Sequence, residues 1–450
     1  INHLNSLLAV VKDEIVRVDP FPTLSEKQLD QVRMNAAGMG KVIHDWNAVQ
    51  SFRANPETAL ILLAGFYQQG LVEYAHPLHK AFLSNYEWSP EDWNIAPYVG
   101  QDYLNLLNIP AAWQSGLSGA GVEGQPKIEV VDIEMNWNFD HEDTGTDINT
   151  TPMGVPFSEE HTDAKYVNHG TAVAGIIHGV PNGEGITGIA PNSSFRTAAI
   201  GNSVSGALSG VSGSFEYLQS SEDALIEGRV VIVEVQMPGE TTAQCDSIGP
   251  TSTWEATGCM PVEAYEIVRD SIEDLVELGV VVIEGAGNGG VNLDNYTEPQ
   301  GLLQIVDTGA TLVGATASVE DHSVAFYSNY GARVNVAAPG SGVVTAGYGD
   351  HQDCQSDTHC FCNPCGPNEL YTDNFGGTSA ATAIIGGMAA LLQEHVQNVY
   401  VDQLESWEYV YLDSYQMREV FEQSIITPID GIGGLPDMIT AMEVITNGDV

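Results

Sequence analysis

The chain has 450 residues, enough to bury at least one large core and to form two domains, and it carries 60 acidic against 14 basic side chains for a formal charge of −46. That charge repels nucleic acid and anionic membrane surfaces, so neither is expected as a partner. No apolar run reaches the roughly 18 residues of a membrane span, the longest stretches at Ala59–Tyr67 and Ala383–Leu392 being about half that, and a soluble protein is expected.

The chain opens at Ile1 with no basic segment followed by an apolar one. An export signal is therefore read as already removed or not included. The first ninety residues have helical patterns at Ser25–Met39 and Pro56–Gln69 and a short strand-like run, Leu71–Ala75. They read as a small α+β module over 1–90, joined through Trp88-Ser89-Pro90-Glu91-Asp92-Trp93 to a larger unit over 91–450.

From about residue 100 the character changes. The runs Lys127–Asp132, Ser194–Ile200, Val230–Val235, Val280–Glu284, Gln304–Gly314 and Arg333–Ala337 are β-branched and apolar, as in strands buried on both faces. Helical patterns alternate with them at Gly170–Ile177, Phe215–Glu227, Pro261–Leu278 and Thr378–Gln397. The fold class that follows is α/β, a mostly parallel sheet with helices on both faces, and its ligands belong beyond the carboxyl ends of the strands. Gly201–Ser214, rich in glycine and serine, reads as a surface loop.

The six cysteines fall as Cys245 with Cys259, then Cys354, Cys360, Cys362 and Cys365. In an exported chain an even number reads as disulfides. The second group, with His351 and His359 nearby, also offers thiolates and imidazoles at zinc-binding spacing, and both readings stand.

Three short segments carry chemistry. Val130-Val131-Asp132 ends a strand-like run, Asn168-His169-Gly170-Thr171 opens a helical one, and Gly376-Gly377-Thr378-Ser379-Ala380-Ala381 places a serine at the mouth of a long apolar helix. Serine hydrolysis of an acyl bond needs a base for the hydroxyl proton and a carboxylate to orient that base. The order Asp, His, Ser is one of the three in which such a triad occurs. A Gly-x-Ser-x-Gly elbow with the order Ser, acid, His does not match, which disfavours a lipase or esterase.

The flanks match as well. Asn168 to Ile177 with Gly188-Ile189-Ala190-Pro191, the turn around Ser379, and Glu284-Gly285-Ala286-Gly287-Asn288-Gly289-Gly290 together resemble the histidine, serine and oxyanion-asparagine blocks of subtilisin-like serine proteases. The resemblance covers about residues 95–450. It implies a subtilisin-like fold and a secreted serine endopeptidase acting on protein or peptide substrates without a catalytic cofactor. Ser379 would be nucleophile, His169 base, Asp132 the orienting acid, and Asn288 with the Ser379 N–H the oxyanion donors. Gly285, Ala286 and Gly287 would form one wall of the specificity pocket, with Gln236 near the other. The end of the 1–90 module, through Val72-Glu73-Tyr74-Ala75-His76-Pro77, is similar to the family's propeptide. That makes the N-terminal segment an expected intramolecular inhibitor, cut between Lys80 and Asn94. Asp143, in a turn similar to the family's His-Pro-Asp, and Asn182, in a segment with the length of a family calcium loop, are the expected ligands of a structural Ca²⁺.

Departures from the family pattern are equally visible. Ile133 and Glu134 follow Asp132 where the family has Ser or Thr and then Gly, Val235-Gln236-Met237-Pro238-Gly239 stands where it shows Ser-Leu-Gly, and Ala383 replaces its usual Pro. The rival from another class is a catalytically silent relative serving as a binding or inhibitory module. A redox or zinc protein centred on Cys354–Cys365 is the third reading.

Overall fold

The computed structural model describes residues 100–144, 164–182, 185–200, 227–239, 258–296, 303–350, 366–401 and 409–448, together with the strands at 15–20, 50–54, 82–83 and 153–154. The helical patterns at 25–39 and 56–69, the run 71–75, the loop 201–214, nearly all of the pattern at 215–227, and Cys354 to Cys365 lie outside the described residues.

The β-branched runs become a seven-stranded sheet. Its strands are β4 (Glu129–Glu134), β5 (Met153–Gly154), β6 (Ser194–Ala199), β7 (Val230–Val233), β10 (Val281–Gly285), β11 (Thr311–Thr316) and β12 (Val336–Pro339). Their order is β12-β11-β10-β7-β4-β6-β5, and every pair is parallel. β4, β7, β10, β11 and β12 are buried almost throughout, which is why their sequences run apolar instead of alternating.

Three strands depart clearly from their expected bounds, the run Arg333–Ala337 forming strand only from Val336 to Pro339. Val230–Val235 breaks at Glu234, and the chain continues as a separate strand, β8 (Val235–Pro238). β8 is the middle of a three-stranded antiparallel sheet, between β9 (Cys259–Met260) and β3 (Phe82–Leu83) from the N-terminal part. The run from Gln304 becomes strand only at Thr311.

Two helices carry the site on one face of the large sheet. Helix α3 (Ala164–His178) follows α1 (Asp102–Leu106) and α2 (Ile109–Gln114), and α5 (Gly377–Tyr400) follows α4 (Glu266–Glu277). α5 is buried from Gly377 through Glu394 because small residues let it sink onto the sheet: a Cβ at Gly386 would lie 2.5 Å from Ile232 Cγ2, and one at Gly387 2.8 Å from Ile189. No described helix is long and apolar enough to cross a membrane.

Candidate active site

Ser379 sits in the first turn of α5. Gly377, two residues earlier, has φ +83°, a left-handed conformation that a side chain would strain, and its N–H donates to Gly340 O at 2.8 Å. His169 lies in the second turn of α3. Its Nε2 is 3.0 Å from Ser379 Oγ, and both side chains are fully buried. Gly170 permits this: a Cβ there would run into the Asn136 carbonyl and lie 2.9 Å from the Trp137 indole.

The carboxylate on the far side of the ring is Glu134. Its Oε1 is 2.9 Å from His169 Nδ1. Asp132, expected in that place, instead accepts a hydrogen bond from Trp137 Nε1 at 2.7 Å through Oδ2. The physical reason is strand geometry: residues 132 and 134 share one face of β4, and Glu134 is both one step nearer the strand's carboxyl end and longer by one methylene. A carboxylate beside Nδ1 favours a proton on that nitrogen, which would leave the Nε2 lone pair facing the serine hydroxyl. Burial, and then the neighbouring Glu134 charge, push the Asp132 carboxyl well above the usual range, partly offset by Trp137.

A third carboxyl shares the site. Glu234 is fully buried, and its main-chain oxygen accepts from Ser379 Oγ at 3.3 Å. Its own carboxyl is held well above the ordinary range by burial and by Asp132 and Glu134, with the Ser379 hydroxyl lowering it in part.

Asn288 follows β10, and its Oδ1 accepts from Thr378 N at 2.9 Å and Thr378 Oγ1 at 3.1 Å. This fixes the amide against the start of α5, beside Ser379. Gln236, expected near a pocket wall, receives the Asn288 N–H on its Oε1 at 2.7 Å. Gly285 faces Thr378 and Thr382, while Gly287 (φ +89°) faces Asn329 and Met260. Asn329 carried no signal in the sequence, yet its Nδ2 donates to Ala286 O at 2.7 Å and Cys259 O at 2.8 Å. It thereby ties β9 to the Gly285–Gly287 segment. Cys259 is disulfide-bonded, and the other five cysteines lie outside the described residues.

On the opposite sheet face Glu284 accepts from Glu263 N at 3.1 Å, and Glu263 accepts from Arg333 at 2.6 Å and Thr308 at 2.8 Å. Burial and then the Glu263 charge push the Glu284 carboxyl well up.

Asp143 and Asn182 do come together, as acceptor and donor. Asn182 Nδ2 donates to Asp143 Oδ1 at 2.8 Å, while Oδ2 accepts from Ile186 N at 2.8 Å and Tyr371 Oη at 2.7 Å. Ca²⁺ needs six to eight oxygen ligands. Here the Asn182 amide, the Ile186 N–H and the Tyr371 hydroxyl, which also lies 2.8 Å from Glu142 Oε1, are directed at the one carboxylate, a set of donors that does not fit the ion. No group of three or more His, Cys, Asp or Glu side chains suited to a metal occurs among the described residues.

Comparison with known proteins bears on this geometry. The profile of the subtilase family matches residues 71–425. The chain belongs to the subtilase family. Among curated relatives, a probable subtilase-type serine protease of Deinococcus radiodurans is 28% identical over 255 residues, 54% of this chain and 30% of that protein. An alkaline protease of Alkalihalobacillus alcalophilus is 24% identical over 365 residues, 77% of each. The minor extracellular protease Epr of Bacillus subtilis is 26% identical over 306 residues, 68% of this chain and 35% of Epr. The chain thus spans about a third of the length of two of these three. Fervidolysin from Fervidobacterium pennivorans, solved as a keratinolytic enzyme related to subtilisin, superposes with TM-score 0.57 at 17% identity over 93% of this chain and 60% of its own. The subtilase fold is common to both.

Proposed function

We propose that this subtilase is a secreted serine endopeptidase that cleaves peptide bonds through an acyl-enzyme, with Ser379 as nucleophile, His169 as base and Glu134 as the carboxylate that orients it. The observation that carries this is the buried line from Ser379 Oγ through His169 to Glu134, at 3.0 and 2.9 Å. Ser379 Oγ attacks the carbonyl carbon while its proton passes to Nε2. The imidazolium formed is paired with Glu134, and the same proton is then delivered to the departing amine. Water repeats the sequence on the acyl-enzyme. Asn288, its Oδ1 engaged by Thr378, turns its amide toward the oxyanion together with the Ser379 N–H. None of these steps calls for a cofactor.

Peptide binding is read from β8. Phe82 and Leu83 pair antiparallel with Gln236 and Val235, which is how an extended substrate adds to a sheet edge, although Pro238 offers no N–H. The pairing supports residues 1–90 as a propeptide-like module whose tail occupies the cleft as inhibitor and is cut close to Leu83. Export is supported by the disulfide at Cys259 and by a relative named as extracellular.

The deciding experiment is fluorophosphonate labelling of wild type and Ser379→Ala with intact mass on both. Labelling of wild type alone, with loss of the N-terminal segment only where Ser379 is present, is expected. Labelling of both proteins, or of neither after the N-terminal segment has been removed by an added protease, would refute the assignment.

A further inference from the structure

β3 pairs antiparallel with β8 as Phe82↔Gln236 and Leu83↔Val235. Glu234 directly precedes β8, and its main-chain oxygen lies 3.3 Å from Ser379 Oγ. A peptide bound to β8 in the same register therefore brings the residue opposite Glu234 to the nucleophile, and the carbonyl of that residue is the one attacked. Two positions earlier in the peptide is the residue opposite Gln236. Residues opposite one another in an antiparallel pair share a face, and diagonal neighbours on it are roughly 7–8 Å apart, within reach of a long side chain. The side chain of the attacked residue thus emerges beside that of Gln236.

The space it would enter lies between β8 and the segment that follows β10. Glu234 meets Ser379 on one side of that space, and Asn288 meets Thr378 on the other. The far side is fixed, because Asn329 Nδ2 donates to Ala286 O at 2.7 Å and to Cys259 O at 2.8 Å, which ties it to β9, the antiparallel neighbour of β8. Gln236 crosses from one side to the other: its Oε1 accepts the Asn288 N–H at 2.7 Å. Gly285 and Gly287 leave their wall bare, but a glutamine spanning the gap takes up the room. A large substrate side chain would have to break the bond between Gln236 and Asn288. Asn288 is also the residue set to stabilise the oxyanion, so displacing Gln236 would cost turnover as well as binding.

We propose that Gln236 determines specificity by closing this space, so that the enzyme cleaves after the small residues glycine, alanine and serine. The inference rests on the serine peptidase reading and deepens it by naming the substrate class. The chain supplies a substrate of this kind itself. After Phe82-Leu83 its sequence continues Ser84-Asn85, so a cut made in the register of β3 follows a serine.

The test is kcat/KM on otherwise identical uncharged peptides with Ala, Ser, Leu or Phe before the cleaved bond, for wild type, Gln236→Gly and Gln236→Leu, together with the new N-terminus of mature wild type. Wild type is expected to favour Ala and Ser over Phe by roughly 10–200-fold, the discrimination that a poorly fitting group brings. Gln236→Gly should narrow that ratio by about tenfold or more, through a gain on Phe. Gln236→Leu keeps the bulk and should keep the preference, and the mature chain should begin at Asn85. Wild type that cleaves after Phe as fast as after Ala, a ratio unchanged in Gln236→Gly, or an equal fall in Gln236→Leu would each overturn the proposal. A first cut after Leu83 or Tyr86 would do the same. The wild-type peptide series decides alone should the variants fail to fold. Absence of fluorophosphonate labelling at Ser379 would sink the peptidase reading and this inference with it, whereas labelled enzyme that prefers Phe sinks only the role of Gln236.

Discussion

Glu134 binds His169 Nδ1 at 2.9 Å, while Asp132, two residues earlier on the same strand face, is bonded to Trp137. Substitution should therefore rank the two carboxyls in the reverse of the order their sequence context suggests. Glu134→Gln, which removes the charge behind the imidazolium and the anchor of its tautomer, is expected to lower kcat by about 10⁴-fold. Asp132→Asn keeps an acceptor for Trp137 and should cost far less. Steady-state kinetics on both variants decide the matter; a greater loss in Asp132→Asn would return the role to that residue.

Asn288→Ala should reduce kcat by about 10²–10³-fold, the magnitude known for the oxyanion asparagine of subtilisin, with little change in KM. A loss carried mainly by KM would assign Asn288 to substrate binding instead.

Glu284 gives the fold a pH dependence of defined sign. Its carboxyl holds a proton in the folded chain well above the value it has unfolded, so between those two values the folded state binds more protons and stability falls as pH rises. The slope is about 1.4 kcal/mol per pH unit for one such group, starting near the ordinary Glu value of about 4.3. Glu284→Gln, made in a Ser379→Ala background to prevent self-digestion, should show a flatter dependence of Tm on pH, with its advantage over the parent growing toward neutral pH. Parallel curves would show that Glu284 does not titrate in this way.

The Asp143 clasp is expected to hold without metal. Tyr371→Phe removes one of three donors from a buried carboxylate and should destabilise the chain by about 1–3 kcal/mol, while a chelator should leave the Tm of the parent protein unchanged. A fall in Tm on chelation, restored by Ca²⁺, would show that the carboxylate serves an ion instead.

Much of this centre could be read from residue order because Ser379, His169 and Asn288 each stand close to a glycine that has one steric purpose. Gly377 supplies a positive φ, Gly170 admits Trp137, and Gly287 turns the chain against Asn329. The parallel sheet was legible for a similar reason, since strands covered on both faces leave uninterrupted apolar runs. What stayed hidden depends on reach across the fold. Asp and Glu two residues apart on a strand look interchangeable until the helix bearing His169 is set against them. The break at Glu234 lies inside a continuous β-branched run, and the pairing of Phe82–Leu83 with β8 joins segments about 150 residues apart in the chain. Tyr371 reaches Asp143 across 228 residues, which local composition does not encode.

Removal of β3 would leave β8 with a row of unpaired main-chain donors and acceptors along one side, a template for any extended strand, including one from another copy of the molecule. Proteins commonly blunt such edges with a lysine or a bulge, and β8 reads Val235-Gln236-Met237-Pro238, with proline as its one local guard. The broader safeguard is the net charge of −46, which sets identical molecules repelling one another at low salt. The same acidity that disfavours nucleic acid as a partner would thus keep the exposed edge from stacking into aggregates, and high ionic strength is where that protection should weaken.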